Sequence, residues 1–259
     1  MEGEVNEKRA QAQWELLREI YKRKATKIYT LDPEEIWRHL SQGPPPENKP
    51  DMVFVANHAL PTADGKGIVP ARMSTPERAG EPDYFKYWAQ EQGYKIKSTP
   101  NSEFEGMGDA LWHPNRRLLW GGYGVRTDRA AYDELASKLN TKIIPIELKN
   151  EYYYHLDVCF APLSESTALI QPDGLTQEGI KKINTLFETV IEAPGEESIE
   201  NLSVNVEVIG DTVIMGSEAP KTAELLEDAG FEVVSINTSE FLKAGGSVCC
   251  LTLSIGNAE

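Results

Sequence analysis

Three groups of residues in this sequence carry side chains suited to covalent or acid–base chemistry. Cys249-Cys250 follows the glycine-bearing loop Lys243-Ala244-Gly245-Gly246-Ser247 and enters an apolar run. A cysteine thiolate is a nucleophile, and glycines let the backbone approach a ligand closely. A cysteine in a strand is also an ordinary buried apolar side chain, so this pair alone does not decide. His155-Leu156-Asp157 follows the aromatic run Tyr152-Tyr153-Tyr154. Residues i and i+2 of a strand share a face, which would point His155 and Asp157 into one site. An imidazole titrating near neutrality serves as general acid and base. A histidine satisfied by structural hydrogen bonds is the plainer alternative. Glu103, Glu105 and Asp109 are interleaved with Gly106 and Gly108 beside Phe104 and Trp112. They can line a pocket for a cation, or form a solvated acidic loop.

Other chemistries find less support. The four histidines (His39, His58, His113 and His155) form no HExxH pair, and the three cysteines lack zinc-site spacing. Gly121-Gly122-Tyr123-Gly124 lacks the Lys-Ser/Thr ending of a phosphate loop. No metal and no cofactor are expected.

Many short elements must position these residues. Ala10, Trp14, Leu17 and Tyr21 recur at helical period, predicting a helix over 7–24 that closes on Lys22-Arg23-Lys24. Residues 27–30 read as a short strand. Asp32-Pro33-Glu34-Glu35 reads as a cap, a proline at the first helical position and early acids of a second helix. Residues 43–50 form a loop. Beyond it, strands at 52–55, 68–72, 94–97, 118–120, 142–145, 158–162, 168–170, 189–192, 204–209, 212–215, 231–236 and 249–255 are expected to alternate with helices. Those helices lie at 82–92, 128–139, 176–188 and 218–229. A loose repeat of roughly 40 to 50 residues runs through this pattern, with Glu105, His155, Asn205 and Cys250 at similar positions in it. Such a period means a solenoid or a propeller-like ring with its loops gathered on one side.

The chain has 259 residues and a formal net charge of −15. Residues 1–50 carry nine basic and nine acidic residues, so the excess lies in 51–259. That field disfavours nucleic acid and anionic membranes and attracts a cationic small molecule. Three irregularly spaced cysteines make no disulfide framework, and neither a signal peptide nor a long apolar span is visible. A cytoplasmic protein is therefore expected, with homo-oligomerisation left open.

Four segments taken in order give a more specific reading. They are Phe104-Glu105-Gly106-x-Gly108-Asp109, Gly122-Tyr123-Gly124-x-Arg126-Thr127, His155-Leu156-Asp157-x-x-Phe160-x-Pro162-Leu163 and Gly245-Gly246-x-x-Cys249-Cys250-Leu251-Thr252. Together they resemble the guanidine-modifying, or pentein, superfamily: arginine deiminase, dimethylarginine dimethylaminohydrolase, agmatine deiminase, the amidinotransferases and the arginine dihydrolases. The resemblance implies a five-bladed, pseudo-symmetric α/β propeller of repeated ββαβ units around a substrate funnel. It makes residues 1–259 a single catalytic domain. It implies Cys250 as nucleophile, His155 as acid/base, and Glu105 as the carboxylate holding the histidine and the substrate site together. Asp157 and Asp109 would support the site. Arg126, with Arg72 or Arg78, would bind the substrate's carboxylate, a role that suits the bidentate guanidinium.

The family's deiminases place an aspartate where this chain has Asn57, within Val55-Ala56-Asn57-His58. An asparagine there resembles the arginine dihydrolases, which hydrolyse twice and release ornithine, ammonia and carbon dioxide. Relatives also carry a short strand and an Ile-Asn-Pro-Trp-Met-like segment before the first helix, so the N-terminal segment is expected to be shortened. The alternatives are a dimethylarginine hydrolase or arginine deiminase yielding citrulline, an amidinotransferase, and a catalytically weak guanidinium-binding protein.

Overall fold

The computed structural model of the protein describes residues 5–40 and 43–255. Helix α1 (Glu7–Lys24) is capped by the Asn6 side chain, which accepts from the Arg9 amide, and ends on Lys22, Arg23 and Lys24. It buries Leu17 and Tyr21. Helix α2 (Pro33–Trp37) begins with Asp32 accepting from the amides of Glu34 and Glu35.

From Ala59 the chain builds one unit four times: an antiparallel hairpin, then a helix, then a strand returning parallel to the second strand. The parallel return requires the helical crossover. The first unit is β1 (Ala59–Pro61), β2 (Gly67–Pro70), α3 (Glu81–Glu91) and β3 (Lys95–Ile96). A single-turn helix, α4 (Gly106–Asp109), leads into β4 (Ala110–Trp112), β5 (Leu118–Tyr123), α5 (Arg129–Leu139) and β6 (Lys142–Glu147). The third unit is β7 (Phe160–Pro162), β8 (Thr167–Ile170), α6 (Gln177–Leu186) and β9 (Thr189–Glu192). A short α7 (Gly195–Asn201) precedes β10 (Glu207–Ile209), β11 (Thr212–Gly216), α8 (Pro220–Asp228) and β12 (Glu232–Ile236), and α9 (Ser239–Leu242) follows.

The apolar core lies between neighbouring units. Leu60, Val69, Leu119 and Leu135 join the first to the second. Trp120, Ile146, Phe160 and Phe187 join the second to the third, and Leu163, Leu169, Met215 and Leu226 join the third to the fourth. Ile214 and Ile236 of the fourth pack on Leu17 and Tyr21 of α1 with Leu251. Leu31, Leu253 and Ile255 then reach Ile68 and Phe85 of the first unit. Five sectors therefore close a ring, the pentein α/β architecture. The fifth is made by α1 and flanking segments that carry no strand among the described residues.

Three expected strands take other forms. Residues 27–30 have no regular structure. Residues 52–55 lie in two successive 3₁₀ turns, because Pro50 presets the first and Met52 and Phe54 donate backward to Lys49 O and Asp51 O. Their apolar run marks burial, which a turn supplies as well as a strand. Residues 249–255 begin as a turn, with Leu251 N donating to Ser247 O at 3.2 Å and Thr252 N to Cys249 O at 3.0 Å. The expected strand at 204–209 is confined to Glu207–Ile209. Among the described residues no helix is long and apolar enough to cross a membrane.

Candidate active site

Asn57, Glu105, His155 and Asn205 each stand just ahead of the hairpin of their own unit, and Cys250 stands at the matching place in the fifth sector. The repeat thus turns even spacing along the chain into convergence at the ring's centre. A cavity of about 300 Å³ is lined there by Asn57, His155 and Cys250, with Asp51, Arg78 and Arg126.

Local backbone fixes the approach. Gly106 has φ +57°, and a Cβ there would lie 2.7 Å from Ala59 O and 2.8 Å from Ala56 O. At Gly108 a Cβ would overlap Asn57 Nδ2 and sit 3.2 Å from His155 Cγ. The two glycines let α4 press against the loop of Asn57 and the ring of His155. His155 itself is not on a strand. It precedes a 3₁₀ turn (Leu156–Val158) in which Asp157 lies, so the shared-face argument for the pair does not apply. Both are nonetheless buried at Cys250: His155 lines the same cavity, and Asp157 Oδ2 lies 3.5 Å from Sγ.

His155 Nε2 meets Glu105 Oε2 at 2.7 Å, while Nδ1 is buried without a partner among the described residues. Burial opposes charge on the ring, but Asp109, Glu105 and Asp157 outweigh it and raise the imidazole pKa. Burial would also raise Glu105. The His155 contact and two hydrogen bonds from Ser74, from N at 3.0 Å and Oγ at 2.6 Å, instead hold it down at about 2. Asp109 is pushed up to about 7 by burial, against the pull of His155 and of the Thr127 hydroxyl, which donates to it at 2.7 Å. It also accepts from Leu156 N at 3.0 Å, tying α4 to the turn after His155.

Cys250 donates from Sγ to Asp157 Oδ2 at 3.5 Å. Asn205 brackets the cysteine, with Nδ2 donating to Sγ at 3.1 Å and Oδ1 accepting from the Cys250 amide at 3.2 Å. Burial, then the Asp157 charge, raise the thiol well above its ordinary range. Asp157 is itself lifted by burial to about 6. A thiol in this setting is neutral until a cation arrives.

The three candidate arginines part company. Arg78 is spent on structure: Nε donates to Glu81 Oε2 at 2.8 Å, Nη1 to Asn57 Oδ1 at 2.7 Å, and Nη2 to the carbonyls of Asp51 and Phe54. Arg126 lines the cavity with its side chain 29% exposed, 3.8 Å from Glu105 and over the Tyr154 ring. Arg72 is exposed, its Nε donates to Pro100 O at 2.9 Å, and it does not line the cavity.

Sequence reasoning passed over Asp51, Phe54 and Tyr154 as lining residues and Ser74 as a partner of Glu105. Asn205 had a signal, its place in the repeat beside Glu105, His155 and Cys250. Asp51 and Ser74 had none, being polar residues in loops whose shape only the fold defines.

The family model described as N,N dimethylarginine dimethylhydrolase, eukaryotic, matches residues 5–256. The chain is 34% identical over 260 residues to the bifunctional arginine dihydrolase/ornithine cyclodeaminase ArgZ of Synechocystis sp., covering 98% of this chain and 35% of that protein. It is also 34% identical over 246 residues to the N(G),N(G)-dimethylarginine dimethylaminohydrolase of Mycobacterium tuberculosis, covering 95% of this chain and 76% of that one. A crystal structure of the N-terminal domain of ArgZ bound to product matches with a TM-score of 0.87 at 34% identity, over 97% of this chain and 88% of that one. The chain thus spans about a third of the length of the bifunctional relatives it matches.

Proposed function

We propose, from the premise that this chain belongs to the guanidine-modifying (pentein) superfamily, that residues 1–259 act as a single catalytic domain hydrolysing the guanidino group of free arginine twice. The observation carrying the reading is His155, anchored through Nε2 to Glu105 with Nδ1 unpartnered, on the wall that also carries Cys250.

The guanidinium enters beside Asp51, with the charges of buried Glu105 and Asp157 behind the cavity wall, and Arg126 takes the substrate's carboxylate. The arriving cation supplies the charge that Cys250 lacks in the empty site, so substrate binding drives off the thiol proton. Sγ attacks the guanidinium carbon. His155 gives a proton from Nδ1 to the leaving nitrogen, the C–N bond breaks and ammonia departs, leaving a thiouronium on Cys250. His155 then takes a proton from water, whose oxygen attacks the same carbon. The C–S bond breaks and a ureido product forms. Groups already in place, the Glu105 charge and the Asn205 amide dipole, stabilise each tetrahedral stage without rearranging.

Asn57 bears on the second round. Its Oδ1 accepts from Arg78, so the amide presents Nδ2, which has no partner among the described residues. A neutral donor suits a ureido oxygen, where an aspartate would suit only a cation. Repetition of attack, protonation and hydrolysis on the ureido carbon yields ornithine, a second ammonia and carbon dioxide. Two solved relatives support the reading: the ArgZ N-terminal domain bound to product, described as an arginine dihydrolase, and an asparagine-to-serine variant of it covalently bonded to a reaction intermediate.

A second reading, citrulline as the end product, is favoured by the dimethylarginine family match and the Mycobacterium relative. Product analysis with arginine, methylarginines and agmatine separates the two. Ornithine with two equivalents of ammonia supports the dihydrolase, citrulline alone the second reading, and no product from any of them overturns both.

A further inference from the structure

Behind the wall that carries Asn57 lies a second cavity of about 330 Å³. That is within the range of small-molecule pockets, about 300–1,000 Å³. Its lining is apolar, with Trp14, Leu31, Ile36, Val53, Phe85 and Leu251 drawn from α1, α2, α3 and the fifth sector. Tyr29, 38% exposed, is also part of the lining, so the cavity reaches the surface.

One cation stands in this apolar wall. Lys49 is only 8% exposed. Its ammonium donates to the Glu77 carbonyl and makes no ion pair with a carboxylate among the described residues. An ammonium has three donors, and a buried charge without a counter-ion is costly unless something else supplies one. In a chain of net charge −15 the unpaired cation is a specific feature. An apolar chamber with one unmatched positive charge is complementary to an amphiphile of the opposite sign.

The same wall touches the first cavity. His58 lines the second cavity, and its Nε2 lies 3.3 Å from Glu81 Oε2. That oxygen accepts from Arg78 Nε at 2.8 Å, and Arg78 Nη1 donates to Asn57 Oδ1 at 2.7 Å. The Glu77 carbonyl that holds Lys49 belongs to the turn carrying Arg78. A ligand that draws Lys49 toward itself therefore acts on the turn that orients Asn57.

We propose that this cavity is a second binding site for a small monocarboxylate with an apolar body, coupled to the catalytic cavity through Glu81 and Arg78. The carboxylate pairs with Lys49 and the hydrocarbon fills the space among Leu31, Ile36, Val53 and Phe85. The coupling rests on the functional reading above; the binding does not.

Octanoate is a suitable probe, titrated calorimetrically into the full chain with octanol as its uncharged counterpart. Octanoate is expected to bind at least tenfold more tightly than octanol. Lys49→Met should erase that preference while octanol binding persists. Val53→Trp, which fills the chamber, should abolish both, and Arg126→Met should leave both intact. Saturating octanoate is expected to change KM for arginine at least twofold in the wild type and not in Glu81→Gln. Absence of octanoate binding, equal binding by Lys49→Met, or loss of binding in Arg126→Met overturns the site. Unchanged KM at saturation overturns the coupling. Because calorimetry needs no turnover, a protein inactive on arginine would sink the functional reading without touching the binding result.

Discussion

Glu105 is fully buried yet held at about 2, because His155 and Ser74 surround its oxygens with donors. In return its charge helps keep the His155 imidazole protonated, and in the proposed mechanism the proton on Nδ1 is the one given to the leaving nitrogen. Glu105→Gln removes an anion in hydrogen-bond contact, so the His155 pKa falls. The basic limb of the kcat profile, where the imidazolium is lost, should then move to lower pH; a profile reduced in height but unmoved refutes this account. Asn205→Ala takes from Cys250 the donor that favours its thiolate. Labelling of Cys250 by a haloacetamidine should slow about tenfold or more, the worth of a hydrogen bond to a charged group, and unchanged labelling would show the bracket to be structural only. Asn57→Asp should tilt product from ornithine toward citrulline, and an unchanged product ratio would end the argument for the neutral amide. That Cys250, His155 and Glu105 come together was legible in sequence through motif order, and the place of Asn205 through period. Asp157 was named for the wrong reason, and Arg78 was matched to a role that its hydrogen bonds leave little room for.

At the scale of elements the decisive piece is α4, whose four residues carry two glycines for different causes. Gly106 needs a positive φ against the Ala56 and Ala59 carbonyls, and Gly108 needs the space that Asn57 Nδ2 and His155 Cγ occupy. Gly108→Ala should therefore cost about 1–3 kcal/mol of stability, the usual range for overpacking, and reduce kcat as Asn57 and His155 are pushed apart. Gly210→Ala is the control for a loss of stability alone. Its φ of +61° strains an alanine, but it has open space around it, so the variant should lose stability and keep its rate. If both variants lose rate alike, the glycine at 108 is not setting the site. Two of the three elements that misled sequence reading, 52–55 and 249–255, are apolar runs beside the fifth sector. Hydrophobic pattern reports burial there, whereas a strand needs a neighbour to pair with, and no strand of that sector is present among the described residues. The four complete units were readable because each repeats hairpin, helix and return.

Across the whole molecule, buried carboxyls divide by the direction of their shifts, and that division sets how stability follows pH. Glu207, at the start of β10, is lifted by burial to about 7, with a hydrogen bond from the Ser254 hydroxyl opposing it. The folded protein thus keeps a proton that the unfolded chain releases near 4.5, the ordinary carboxyl value. The stability this proton confers is complete below that value and lost as pH rises through 7. Glu105 has the opposite sign: its contribution is complete above the ordinary value and is lost as pH falls toward 2. Asp109 and Asp157 shift as Glu207 does, but both lie beside His155 and titrate with it. Glu207 is therefore the clean probe. The wild type should unfold at a lower temperature at pH 8 than at pH 5, with a Glu207 contribution on the order of 3 kcal/mol. Glu207→Gln keeps an acceptor for Ser254 and cannot ionise, so it should flatten that decline and leave the acid limb set by Glu105 in place. Thermal unfolding of both proteins between pH 4 and pH 9 measures the difference. Parallel curves for the two would mean that Glu207 is ionised in the folded state and that the decline belongs to other groups.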